Sequence, residues 1–132
     1  MPDLAGIHAL LEQYFDALHA SDAKLLAGVM HPRAIYVTAD EQPAVYRTMD
    51  EYLPIVAARQ SPLSRGEPRR DIIESIDLAG DNTGFARVCC SIGTRDFTDF
   101  LSLVCTGGEW KIVAKVFHFI EREESCRTST SR

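Results

Sequence analysis

Asp99 and Lys115 are the residues best placed to do chemistry together. They lie on two strand-like segments, 97–106 and 109–119, joined across Thr106, Gly107 and Gly108. A three-residue loop, 106–108, sets Asp99 directly opposite Lys115 on one face, where cross-strand side chains touch. A two-residue loop, Gly107-Gly108, sets Phe100 opposite Lys115 and turns Asp99 away, because a one-residue slip exchanges the faces of a strand. Side by side, a carboxylate and an ammonium orient a ligand or serve as an acid/base pair. The bland alternative is a structural ion pair across the strands.

Other polar residues carry weaker signals. Tyr14, Tyr36 and Tyr52 each join an aromatic body to a hydroxyl, and Arg87 offers a guanidinium to an anion. A strand arginine on an outer sheet face explains Arg87 equally well. His31 precedes Pro32 at an expected helix end, where it hydrogen-bonds nearby carbonyls and meets the helix dipole. His8 and His19 fall off the apolar stripe of their helix, and His118 alternates to the other face from Lys115 and Phe117. No His/Asp/Glu set has metal-ligand spacing, so neither metal nor cofactor is expected. Cys89 and Cys90 are neighbours on a strand and point to opposite faces, so they cannot share one tetrahedral metal. With Cys105 and Cys126 they are read as free thiols of a reducing cell. No nucleophile elbow, P-loop or dinucleotide fingerprint is present.

These residues must be positioned by six strands and three helices. Ile7, Leu10, Leu11, Tyr14, Phe15 and Leu18 form one helical stripe behind the cap Asp3. A second helix, capped by Ser21 or Asp22, presents Leu25, Leu26, Val29 and Met30 and stops at His31-Pro32. Residues 34–38 and 44–47 read as strands around a loop at 40–43. Thr48 and Glu51 have capping-box spacing for a third helix with Met49, Tyr52, Leu53 and Val56 on one face. Pro54 conflicts with it, at about 3 kcal/mol, so the helix either kinks there or starts later. After a polar loop at 61–68, strands at 71–78, 83–94, 97–106 and 109–119 alternate with turns at Gly80-Asp81-Asn82, Arg95-Asp96 and Gly107-Gly108. Such helices must cover a sheet, and a long twisted sheet curls round them. The reading is an α+β domain over 1–120 with a polar, loose tail at 121–132.

Composition narrows the function classes. The chain has 132 residues, 45% apolar and 25% charged, which suits one globular domain. A net charge of −5 excludes general nucleic-acid affinity; Arg65, Arg69 and Arg70 are broken up by Gly66, Glu67 and Pro68 into a solvated loop. No stretch approaches the roughly 20 apolar residues of a membrane span, and the start lacks a signal-peptide pattern. A cytoplasmic location and no membrane partner are expected.

The order of elements resembles the nuclear transport factor 2-like (SnoaL-like) superfamily, which also holds scytalone dehydratase, limonene epoxide hydrolase and ketosteroid isomerase. The wording "YFDALHASDAKLLAGVMHPRAIYV", "GDNTGFARV" and "FTDFLSLVCTGGEWKIVAKVFH" is similar to its branch called putative lumazine-binding, over about residues 5–119. The resemblance implies a cone-shaped barrel of curved antiparallel or mixed sheet, a pocket between helices and concave face, and homodimers through the outer face. It implies that Lys115, Phe117 and Phe119 face the pocket, which favours the three-residue loop. It also sets Tyr14 and Asp99 where ketosteroid isomerase has an oxyanion-hole tyrosine and a protonated acid. The position of that enzyme's base is Thr38, which cannot abstract a carbon-bound proton. Asp40, two residues on, sits at a loop edge and is read as solvated. An ammonium at Lys115 favours the charged form of Asp99. Isomerase chemistry is therefore disfavoured.

The expected function is binding of an unidentified small molecule in an internal hydrophobic pocket, with Tyr36, Tyr52, Arg87 and Phe117 as ligand contacts. A lyase, isomerase or cyclase acting through Asp99, Lys115 and Tyr14 is the first alternative. A structural homodimerisation domain is the second.

Overall fold

Apolar spacing and caps account for the helices. In the computed structural model, which describes residues 3–122, α1 (Leu4–Ala20) starts where Asp3 Oδ1 accepts from the Gly6 N–H at 2.9 Å. Its stripe of Ile7, Leu10, Leu11, Tyr14, Phe15 and Leu18 is buried. Ser21, at φ 50, ends it, and Asp22 caps α2 (Ala23–Val29) through the Leu25 N–H at 3.0 Å. Thr48 N donates to Glu51 Oε1 at 2.9 Å and opens α3 (Met49–Ala58). The helix thus begins at its capping box and runs through Pro54, which has no N–H for the carbonyl one turn back.

The six strands are β1 (Met30–Thr38), β2 (Val45–Thr48), β3 (Ile72–Ala79), β4 (Thr83–Ile92), β5 (Arg95–Thr106) and β6 (Glu109–Glu121). β1 begins four residues earlier than its composition suggests, because Met30 already pairs with Ile112 and the register shifts between Met30 and Ile35, across Pro32. His31 therefore lies in a strand, and its Nδ1 accepts from the Arg33 N–H at 3.0 Å instead of serving a helix carbonyl. The β4–β5 turn is centred on Gly93 and Thr94, not on Arg95-Asp96: Gly93 supplies the left-handed φ of 62 that the turn needs. Glu121 and Arg122, read as the start of a tail, are held, with Arg122 donating to the Gly93 carbonyl at 2.5 Å. The rest of that tail, with Cys126, lies outside the described residues.

The sheet order is β2-β1-β6-β5-β4-β3, antiparallel except for the parallel β1–β6 pair. Free edges at β2 and β3 leave it open, so the expected barrel is a curved open sheet. Ala86, Val88, Leu101, Leu103 and Ile112 on the concave face pack with Leu11, Tyr14, Leu26 and Val56 of the helices.

The β5–β6 register decides which residues meet inside. The hairpin has the two-residue loop, since Thr106 pairs with Glu109. By itself that loop turns Asp99 away from Lys115. A bulge restores the face: Leu103 pairs with Ile112 but Ser102 with Ala114, leaving Val113 extra. Asp99 then pairs with Phe117 and Lys115 with Leu101. The two charged residues are diagonal neighbours on the concave face and not directly opposite, as the three-residue loop required.

Deleting Val113 should close the bulge, keep Ser102 opposite Ala114, Leu101 opposite Lys115 and Asp99 opposite Phe117, and retain a cooperative thermal transition. Val113→Ala, which keeps the bulge, should retain it as well. A Val113-deleted protein that no longer melts cooperatively would sink the register argument.

Candidate functional site

Five elements bring side chains to one point. Tyr14 descends from α1, and its hydroxyl donates to Asp99 Oδ2 of β5 at 2.6 Å. Lys115 of β6 sets its Nζ 3.9 Å from the same oxygen, an ion-pair distance too long for a hydrogen bond. Around that ammonium stand the rings of Tyr14, Tyr36, Tyr52 and Phe117, with centroids 5.2, 5.4, 5.8 and 5.4 Å away. Tyr36 of β1 stacks on Tyr52 of α3 at 4.1 Å and 24°. Phe117 meets Tyr36 at 4.7 Å and Phe97 at 5.8 Å. Asp99 has no exposure and Lys115 keeps 4%.

The electrostatics follow from burial and from the cage. Burial alone pulls the Lys115 ammonium down. The charge of Asp99, with Tyr52, Tyr36 and Cys90 behind it, outweighs burial and holds Lys115 above its ordinary value. Tyr14 lies well above the usual phenol range, chiefly through burial and then through the charge of Asp99. Burial also raises Tyr36, against the pull of Lys115. The Cys90 thiol is pushed up to about 12 by burial, with Asp99 adding to it.

This arrangement limits the chemistry. A charged Lys115 has no lone pair with which to act as base or nucleophile. Tyr14 spends its proton on Asp99, so it is not aimed at a substrate oxyanion. Thr38 is buried, and its Oγ1 accepts from the Asp40 N–H at 3.1 Å. The Asp40 carboxylate accepts from the Phe119 N–H at 3.1 Å and meets His118 Nδ1 at 2.5 Å. Those contacts, the Phe119 bond first, hold Asp40 below the usual carboxylate range. It is tied to the end of β6 and is no base for the interior.

Of the residues expected in the site, Tyr14, Asp99, Lys115, Tyr36, Tyr52 and Phe117 come together. Arg87 does not. It lies on the outer sheet face, its Nε 2.6 Å from Glu74 Oε1 and its guanidinium 5.3 Å from the centre of the Phe100 ring. There it lines a recess of about 290 Å³ with Thr98, Phe100, Val116 and His118. Two residues were missed. Phe97 extends the aromatic wall. Arg59, just past α3, has Nε and Nη2 buried without hydrogen-bond partners. The available signal was spacing, because Met49, Tyr52 and Val56 are buried and 59 falls next on that stripe. Among the described residues no three His, Cys, Asp or Glu side chains form a metal-ligand set, and no helix is long and apolar enough to cross a membrane.

Three helices laid into an open, curved six-stranded sheet define the nuclear transport factor 2-like fold, and comparison with solved structures agrees. The chain is similar to nuclear transport factor 2-like proteins of unknown function from Silicibacter pomeroyi (22% identity, TM-score 0.76, 89% of this chain and 95% of that one) and Shewanella baltica (21%, 0.79, 89% and 94%). It is also similar to a ketosteroid isomerase-like protein from Erwinia carotovora atroseptica (14%, 0.71, 90% and 97%). No curated protein shows significant similarity in sequence. The family model described as "Putative lumazine-binding" matches residues 2–118, and the chain belongs to that family.

The raised values of Tyr14 and Tyr36 give a pH test. Unfolded tyrosines ionise near pH 10, whereas these two stay neutral in the fold. Their contribution to stability is complete below that pH and is lost as pH rises toward their folded values. An alkaline titration followed by tyrosinate absorbance should show part of the signal of the four tyrosines delayed until unfolding. Tyr14→Phe should shrink that delayed part; simple titration of every tyrosine near pH 10 would contradict the burial.

Proposed function

We propose that the chain is a small-molecule-binding domain, without an established reaction, that receives a flat heteroaromatic ligand at the aromatic cage around Lys115. The observation that carries this reading is the Lys115 ammonium. It has three N–H donors and, among the described residues, no hydrogen bond, only an ion pair at 3.9 Å. The residue is only 4% exposed, so these donors have little water to turn to. A ligand carbonyl would take one, while the ring lies along Tyr36, Phe97 and Phe117. Asp99 Oδ1, buried and without a partner, would suit a ligand N–H. Lumazine, named in the family's description, has such carbonyl and N–H groups on a planar ring system. The absence of a free base beside Lys115 argues against a lyase, isomerase or cyclase. The free thiols Cys89, Cys90 and Cys105 support a reducing, cytoplasmic setting.

Lumazine should raise the melting temperature of the protein in a concentration-dependent way. Asp99→Asn/Lys115→Met, which removes both charges together and so leaves neither buried alone, should melt cooperatively and lose that rise. An equal rise in the double variant would overturn the role given to Lys115.

A second reading concerns assembly. On the outer face Ile35, Phe100 and Val116 are 44%, 42% and 45% exposed, and Phe100 pairs with Val116 across β5 and β6. A contiguous apolar patch of this kind marks an interaction surface. A second copy of the same sheet face would cover it, giving a two-fold homodimer. Sedimentation should give a dimer mass for the parent and a monomer mass for Phe100→Lys. A monomeric parent at tens of micromolar would end this reading.

A further inference from the structure

We propose that Arg59 is an anion seat at the aromatic end of the site, so that the ligand is a small planar aromatic acid, its ring against the Tyr36–Tyr52 stack and its carboxylate-type group on the guanidinium. This rests on the binding reading above and adds to it the charge of the ligand and the residue that reads it.

Five guanidiniums of the described residues hold carboxylates. Arg69 holds Asp16 and Asp71, Arg87 holds Glu74, Arg95 holds Glu121, Arg65 holds Glu67 and Arg122 holds Asp96. The chain has 19 acidic residues against 14 Lys and Arg, so carboxylates are in excess. Among the described residues Arg59 nevertheless has none of them, although two of its nitrogens are buried. A guanidinium is always charged, so burying its donors unpaired is unfavourable unless something else completes them.

The identity of the two nitrogens is informative. Nε and Nη2 form one edge of the guanidinium, and their N–H bonds point the same way. That edge fits the two oxygens of a carboxylate. Both are buried and unpartnered, so the whole bidentate edge is left unused by the described residues, and a ligand that displaced its cover would find both donors available.

Position supplies the rest. Met49, Tyr52 and Val56 form the buried face of α3, and residue 59 continues it at the helix end. Arg59 lies near enough to Tyr36 for its charge to act on that hydroxyl. Arg47 stands 5.7 Å from the Tyr36 ring centre and Lys115 5.4 Å from it. Three cations therefore converge on one aromatic stack in a chain of net charge −5. The Asp99 carboxylate lies beneath, already engaged by Tyr14. Cations gathered at a partly desolvated aromatic surface favour an anion over its neutral isostere. The cage round Lys115 already holds a cation, so a cationic ligand finds no place in it.

The test uses 2-naphthoate and its neutral counterpart 2-naphthamide as probes, with the full chain in calorimetric titrations. The parent should bind naphthoate at least about tenfold more tightly than naphthamide, and added NaCl should weaken only the first. Arg59→Gln should lose about 10–100-fold of naphthoate affinity, the range for a hydrogen bond to a charged group, and bind naphthamide as before. Equal binding of the two probes by the parent, or unchanged naphthoate binding by Arg59→Gln, would overturn the anion seat while leaving the binding domain intact. Failure of lumazine, naphthoate and naphthamide alike to bind the parent would overturn both. If Arg59→Gln does not fold, Arg59→Lys decides. It keeps the charge without the two-pronged edge, so several-fold weaker naphthoate binding supports the seat and parental affinity rejects it.

Discussion

A full positive charge sits almost wholly inside this molecule, and nearly every element of the fold contributes to holding it there. Water has been removed from the Lys115 ammonium, and what replaces it is one carboxylate oxygen and four ring faces. The carboxylate comes from β5, the rings from α1, β1, α3 and β6 itself. Each ring contributes on the order of 0.5–2 kcal/mol of cation–π attraction, so the four together weigh alongside the ion pair in holding the charge. The helices are thus more than a lid on an apolar sheet. Tyr14 and Tyr52 take part in the electrostatics of the strand below them.

The same interaction separates this chain from the chemistry that its fold brings to mind. Fold similarity to a ketosteroid isomerase-like protein at 14% identity concerns backbone shape alone. Catalysis of that type needs donors aimed at a substrate oxygen and a base beside a carbon. Here the tyrosine proton is directed to the aspartate, the lysine is charged, and the nearby aspartate at position 40 caps a strand end. The interior is arranged to hold charge in place.

Much of the architecture was legible because its signals are local. The α1 stripe, the Thr48–Glu51 cap and the Gly107-Gly108 turn depend on a few neighbouring residues. The harder features depend on residues far apart. Val113 is a good strand former, and nothing in its own chemistry marks it as the extra residue. The bulge arises because Trp110 and Ile112 before it, and Lys115 and Phe117 after it, all need the concave face. The pattern of burial across the bulge, read in full, contains that conflict of parity. Arg95 and Asp96 looked like a turn because both are charged, yet the turn went to Gly93, where the backbone could take it. The grouping of Tyr14 with Asp99 was visible through family resemblance, but the direction of their hydrogen bond was not. Arg59 went unseen because a charged residue at a helix end ordinarily reads as solvated.

The parallel pairing of β1 with β6 has a consequence for how the chain comes into being. β6 is the last strand in the sequence, yet it lies between β1 and β5 near the middle of the sheet. Until it is in place, the N-terminal half, with α1, α2, β1, β2 and α3, has no ladder joining it to the β3–β5 meander. During synthesis, therefore, the first helices leave the ribosome without the completed sheet to cover their apolar stripes, and they stay so until β6 has followed. Contacts between the two ends of a chain are slow to form because the intervening loop must first be closed. The native sheet can be completed only after β6 has been made, and in that interval the nascent N-terminal segment is a substrate for whatever guards exposed apolar helices in the cell.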